Sequence, residues 1–237
     1  MKIAIMQPYF FPYIGYFQLV NAVDVFIIYD NIKYTKKGWI NRNRILQNGK
    51  DTLISLAIKS DSDYLHVCDR EISESFNKNS FLNRIKGAYR NAPYFAQVYP
   101  MLEGIIKYEN SNLFTFLHNS IMQALNKLDI TTKIEISSNI DIDHNLKSQD
   151  KVIALCKALG ATTYINAIGG IDLYSKTAFS NNNIDLKFIK SNPLVYTQFK
   201  HEFCPWLSII DVMMFNSIGN IHEYLNSNYE LIEGNYE

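Results

Sequence analysis

Apolar residues in this chain fall into short, nearly continuous runs separated by amphipathic stretches and Gly, Pro or Asn breaks. Lys2-Ile3-Ala4-Ile5-Met6 reads as a buried strand that ends in a loop at Gln7-Pro8 and Pro12. Ile14 to Asn21 fits a helix with Phe17, Leu19 and Val20 inside, and Asp24 to Asp30 reads as a second buried strand. Strand, loop, helix, strand is a βαβ opening, which favours a parallel sheet covered on both faces. Asn48-Gly49 signals a hairpin whose return strand runs from Thr52 to Ile58. The stretch from Asn79 to Met101 has helical spacing broken at Pro93 and Pro100, and Leu113 to Leu128 forms a stronger amphipathic helix.

Further along, Lys133 to Ser138 alternates like a strand, and Ser148 or Asp150 can cap a helix that stops at Gly160. A strand at Thr162–Asn166, a Gly169-Gly170 loop, a helix near Leu173 to Phe179, a strand at Ile184–Ile189 and a helix at Leu207–Phe215 complete the pattern. The pattern predicts an α/β fold: a parallel-type sheet with helices on both faces, in one domain over residues 1–237 with a helical insertion at about 75–130.

The chain has 237 residues, enough to bury a core without a disulfide or structural metal. Its 23 Lys+Arg balance 23 Asp+Glu, so it lacks the long-range positive field of a general DNA binder. Three cysteines at wide spacing, Cys68, Cys156 and Cys204, make a poor disulfide framework and suit a reducing, cytoplasmic setting. The apolar start is too short for a signal peptide, and no run reaches the ~18 residues of a membrane span.

Three segments carry candidate chemistry. The first is Gln7 to Phe17, in which Tyr9, Phe10 and Tyr16 offer rings and Gly15 lets a phosphate approach a helix N-terminus. In parallel sheets the exit loop of the first strand is part of the ligand site. Tyr13-Ile14-Gly15-Tyr16 stands where nucleotidylyltransferases carry His-x-Gly-His, but with neither histidine. The second is a basic, amide-rich loop in which Lys37, Asn41, Arg42 and Arg44 suit a diphosphate or carboxylate and Trp39 suits stacking on a base or sugar. The third is the strand end and loop containing Asn166, Gly169 and Tyr174. Asp30, closing the second strand, is the candidate base; Gln7, closing the first, is the other candidate catalytic group. In the C-terminal helix Ser208 and Asp211 form a polar side facing the same edge. His66-Val67-Cys68 and His201-Glu202-Phe203-Cys204 lack the paired partner motif of a zinc site, so no metal is expected.

Taken in order, Gln7-Pro8-x-Phe10-Phe11-Pro12-x-x-Gly15-Tyr16-Phe17, Asp24-x-Phe26, Asp30, Lys37-Gly38-Trp39-x-Asn41-Arg42-Asn43, Ser137-Ser138, Leu159-Gly160-Ala161-x-x-Tyr164 and Leu207-Ser208-Ile209-Ile210-Asp211 with Asn216 and Gly219 resemble the WbqC-like protein family over nearly the whole chain. After Tyr164 that family tends to have a Ser-Gly step, where this chain has Asn166-Ala167. The resemblance adds Ser138 to the binding residues. It implies a role in bacterial O-antigen or other surface-polysaccharide biosynthesis, as a transferase or amide-forming enzyme. The expected substrates are a nucleotide-linked amino sugar and an acyl or aminoacyl donor, with ATP left open. The alternative is a noncatalytic nucleotide-sugar binding or scaffold protein of the same pathway.

Overall fold

The computed structural model describes residues 1–200 and 202–233. In chain order it contains β1 (Lys2–Met6), α1 (Ile14–Asn21), β2 (Val25–Ile28), a hairpin of β3 (Arg42–Gln47) and β4 (Lys50–Ser55), and the helices α2 (Lys78–Tyr89), α3 (Phe95–Lys107) and α4 (Leu113–Lys127). There follow β5 (Lys133–Ile136), α5 (Ser148–Ala158), β6 (Thr163–Ala167), α6 (Lys176–Ser180), β7 (Asp185–Ser191), α7 (Ile209–Phe215), α8 (Ile218–Ser227) and β8 (Tyr229–Glu233). Among the described residues no helix is long and apolar enough to cross a membrane.

Six strands form one sheet in the order β5-β2-β1-β6-β7-β8, parallel except for β8, which runs antiparallel to β7. The chain builds outward from β1 to β2 and β5, and then α5 carries it back to β6 on the other side of β1. The strand order therefore reverses between β1 and β6. Right-handed crossovers put helices on opposite faces before and after such a reversal. Accordingly Ala4, Phe26, Ile28 and Ile165 share a core with α1, the three middle helices, α7 and α8. Ile3, Ile5, Ile27 and Tyr164 face the other way, onto α5 and Phe179 of α6. Strands buried on both faces explain why β1 and β2 read as continuous apolar runs.

The hairpin turns at Asn48 (φ 54°) and Gly49 (φ 74°), both left-handed as a two-residue turn with this sequence demands. At the end of α5, Gly160 (φ 70°) lets the Ala161 N–H reach back to the Cys156 carbonyl and stop the helix.

Several elements differ from the sequence expectation. Pro100 lies inside α3 rather than ending it, in a helix held by the buried stripe Val98, Leu102, Ile105 and Ile106. Neither Ser148 nor Asp150 caps α5, which has Lys147 in the cap position and no side-chain cap. The expected Leu173–Phe179 helix splits into a 3-10 turn over Ile168–Leu173 and α6, because the Ser175 hydroxyl accepts from the Ala178 N–H and starts the helix there. The sequence reading also passed over α8 and β8. They are fixed by Gln18 of α1, fully buried, whose amide nitrogen donates to the carbonyls of Tyr224 (2.8 Å) and Asn228 (3.0 Å) and whose oxygen accepts from Ser191 Oγ (2.6 Å).

Gln18→Leu keeps the bulk but takes one of two donors from each carbonyl and the acceptor from the Ser191 hydroxyl. We expect it to lower unfolding free energy by about 1–3 kcal/mol. In urea titrations this appears as a lower midpoint with an unchanged slope; an unmoved midpoint would show the join to be held by packing alone.

Candidate functional site

The reversal between β1 and β6 opens a cavity of about 270 Å³ beyond the carboxyl ends of these strands, bounded by Met6 at the end of β1, Ala167 at the end of β6, and the start of α1. Ligands of open α/β sheets bind in this place. Its wall is aromatic: Tyr9, Tyr13, Tyr16, Trp39 and Trp206 line it, with Asn43 and Arg44 from β3. The two tryptophans are the chain's whole complement.

The loop that supplies the tyrosines is pinned by its own backbone. Phe11 adopts φ 45°, and the Phe10 and Phe11 rings are driven into the core. Their carbonyls go with them and need donors, which Asn43 Nδ2 provides to Phe10 O (3.1 Å) and Phe11 O (2.8 Å). Ser208 Oγ donates to Phe11 O (2.7 Å), and the Ile209 N–H to Pro12 O (2.9 Å). Phe10, expected among the ligand contacts, therefore packs against Phe81 and Phe116, while Tyr9, expected with it, lines the cavity. Gly15 is required for a steric reason: a Cβ there would lie 2.6 Å from Ser191 Oγ, which Gln18 holds.

Among the described residues Arg44 is the only cation lining the cavity. It pairs with Asp51 (3.1 Å), donates to Trp206 O (3.3 Å) and lies 5.6 Å from the Trp39 ring, while its Nε is buried without a partner. Tyr16 Oη is likewise buried and unpartnered. Burial pushes the Tyr13 phenol up to about 12 and the Tyr16 phenol well above its ordinary value, with Tyr9 adding to the latter. Both stay protonated at neutral pH and can donate. The cavity thus offers flat faces, phenol donors and one guanidinium, which suits a ring carrying an anionic group.

Arg42 turns away from this cavity, donating from Nε to Gly38 O (2.9 Å) and from Nη2 to Lys37 O, so it braces its own loop. Asn41 likewise accepts from Tyr34 Oη (2.7 Å) and donates to Leu56 O (2.9 Å). Lys37 is exposed on the same loop.

Around the other strand ends lies a more polar group. Asp30, two residues past β2 and 3% exposed, accepts from Ser137 Oγ (2.7 Å), Ser138 Oγ (2.7 Å) and the Ser138 N–H (3.0 Å). Gln7 follows Met6, whose carbonyl accepts from the Tyr29 N–H, so Gln7 and Asp30 leave neighbouring strands at one edge. Asn166 closes β6 on the face opposite the cavity and presses on Gly170, where a Cβ would lie 2.4 Å from Asn166 Nδ2. Tyr174 packs edge-on to Tyr164 and Phe179, and Gly169 is exposed on the same turn. Beside Asp30, burial and then the charges of Asp69 and Asp30 raise the Cys68 thiol to about 11. His66, Cys68 and Asp69 place their ligand atoms within 4.8 Å of one another, the group among the described residues that could hold a metal. His201 of the other cysteine-histidine pair lies outside the described residues.

Asp211 is fully buried one turn from Ser208. Both carboxylate oxygens are taken, by Tyr89 Oη (2.8 Å), Tyr196 Oη (2.7 Å) and Gln198 Nε2 (2.7 Å), and Tyr89 Oη in turn accepts from the Leu46 N–H (2.9 Å). It ties α7 to α2, to the hairpin and to the segment leading to Trp206.

Sequence reasoning did not pick out Trp206 or Lys151 as site residues. Trp206 carried a signal as one of two tryptophans, placed just before Ser208. Lys151 stands at helical spacing from Leu155 and Leu159, on the side of α5 that should be apolar.

The sequence model of the WbqC-like protein family matches residues 7–223. A protein of Mycobacterium tuberculosis described as the uncharacterized protein Rv1507c is 27% identical over 228 residues, covering 94% of this chain and 97% of its own. No solved structure matches.

Burial raises the Asp211 carboxyl above its ordinary value of 3.8, against the opposing pull of its three hydrogen bonds. A raised acid binds its proton more tightly folded than unfolded, so its contribution to stability is present below 3.8 and is lost as pH rises through the folded value. Comparing denaturant midpoints of wild type and Asp211→Asn at about pH 7 and about pH 4, we expect the wild type to gain on the variant at the lower pH. A constant difference would count against this.

Proposed function

The chain belongs to the WbqC-like protein family, and we propose on that premise that it binds a nucleotide-linked amino sugar and transfers an acyl or aminoacyl group to the sugar nitrogen in surface-polysaccharide biosynthesis. The observation that carries this reading is the aromatic cavity at the strand-order reversal with Arg44 as its one cation among the described residues. A nucleotide-linked sugar brings a base and a sugar ring for the tyrosines and tryptophans and a diphosphate for the guanidinium.

In such a transfer the amine nitrogen attacks the acyl carbonyl, a C–N bond forms, and the bond to the leaving group breaks. The amine proton goes to a base and the developing oxyanion needs a donor. Asp30, fixed by Ser137 and Ser138, is the candidate base, and the Gln7 amide, one strand away, the candidate donor. ATP is a co-substrate only if the acyl group arrives unactivated. A second reading, a noncatalytic nucleotide-sugar binder of the same pathway, is favoured by one specific observation: among the described residues no carboxylate or imidazole lines the cavity.

Because Trp39 and Trp206 both line the cavity, intrinsic fluorescence reports on it directly. Titration with UDP- and dTDP-linked amino sugars should quench the signal saturably, and Arg44→Ala should weaken binding by roughly 10–100-fold, the worth of hydrogen bonds to a charged group. Its folding should change little, since its ion pair with Asp51 is half exposed. Absence of quenching by every nucleotide sugar would sink both readings. Quenching together with mass-spectrometric acylation of the sugar from an acyl-coenzyme A supports the enzyme; quenching with no acylation from any donor, with or without ATP, supports the binder.

A further inference from the structure

Lys151, in the first turns of α5, is 4% exposed. An ammonium has three protons to donate, yet its hydrogen bond is a long one, 3.4 Å to the His144 carbonyl. Its Nζ otherwise lies 5.1 Å from the Tyr29 ring centroid, and no carboxylate among the described residues reaches ion-pair distance. Asp30, whose charge acts on Lys151, already accepts three hydrogen bonds from Ser137 and Ser138. Burial moves the ammonium's pKa below its ordinary value, partly offset by Asp30 and Cys68.

A second group in the same neighbourhood is also unserved. Asn166 is 6% exposed, and its side-chain amide has no hydrogen-bond partner among the described residues. It is not among the fully enclosed unpartnered groups, so its amide still meets accessible space. It alternates with Ile165 and Ala167, which face the aromatic cavity side, and therefore faces α5. The two groups share one side of the sheet: Lys151 lies over Tyr29, Tyr29 and Tyr174 both pack against the core beneath α5, and Tyr174 packs on Gly170 beside Asn166. Ser138, which donates to Asp30, and Gly169, next to Gly170, are exposed. Buried donors without acceptors are costly, and an anionic oxygen ligand would relieve both at once.

We propose that Lys151 and Asn166 form an anion subsite on the opposite face of the sheet from the aromatic cavity, taking a carboxylate or phosphate group. Its assignment to the acyl donor rests on the reading above; the subsite itself stands on the unserved donors.

The test is thermal unfolding of wild type, Lys151→Met and Asn166→Ala in sodium phosphate, sodium acetate and sodium chloride at matched ionic strength. We expect phosphate or acetate to raise the wild-type melting temperature saturably over chloride, by roughly 3–6 °C at ten times the dissociation constant. Lys151→Met should match or exceed the wild type without added anion, because the methionine is not penalised by burial, and should lose the rise. A rise with acetate points to a carboxylate source, and one with phosphate alone to the nucleotide. An equal rise in wild type and Lys151→Met, or none over chloride in the wild type, overturns the proposal. Should Lys151→Met unfold, Asn166→Ala decides: loss of the rise supports the subsite and an undiminished rise refutes it. Tryptophan quenching by nucleotide sugars is independent of this result, so failure of the subsite and failure of the cavity reading are told apart.

Discussion

Two carbonyls that cannot be left bare underlie much of this architecture. The loop after β1 sends the Phe10 and Phe11 rings into the core, and their backbone oxygens are buried with them. An unpaired buried carbonyl costs about 1–3 kcal/mol. The donors come from distant parts of the chain: Asn43 from the hairpin and Ser208 from the start of α7. Satisfying the loop therefore docks both elements, and docking them places Arg44 and Trp206 in the same cavity wall as the tyrosines. The cavity is the space left between parts that meet for the sake of backbone hydrogen bonds.

The same logic recurs around it. Asp211 gathers two phenols and an amide, and Gln18 gathers two carbonyls and a hydroxyl, each inside a largely apolar interior. Apolar contacts alone would tolerate small shifts of α7 or α8 against the sheet. Directional bonds to a buried group do not, since a slip strands several partners together. These residues are better understood as positioning the site than as touching a ligand.

Against that frame of satisfied groups, several exceptions lie near the sheet's carboxyl edge. Among the described residues Arg44 Nε and Tyr16 Oη are unpartnered on one face, and the Asn166 amide and most of the Lys151 ammonium on the other, while Arg70 Nε and Tyr164 Oη are left unpartnered elsewhere. Beside them the strand ends carry Gln7 and Asp30. Donors left open beside a cavity at the reversal of the strand order have the pattern of a ligand site.

The sequence by itself determined the α/β class and most of the strands, because residues buried on both faces must be apolar and breaks must fall at Gly, Pro and Asn. It also marked the Gln7–Phe17 loop and Asp30, since a strand's exit in a parallel sheet lies at the ligand edge whatever the tertiary detail. It missed β8, an exposed edge strand with no continuous apolar run to announce it. Only the tertiary structure decided which arginine of Arg42 and Arg44 meets the cavity: neighbours two apart share a strand face, but a carbonyl-rich turn captured the first. Only it removed Phe10 from the cavity wall and put Trp206 there, because those outcomes depend on donors from Asn43 and Ser208 that are remote in sequence. The role of Lys151 was hidden for the same reason. A lysine on an apolar stripe reads as an error of pattern until the fold shows that, among the described residues, one long bond to the His144 carbonyl is all that its ammonium makes.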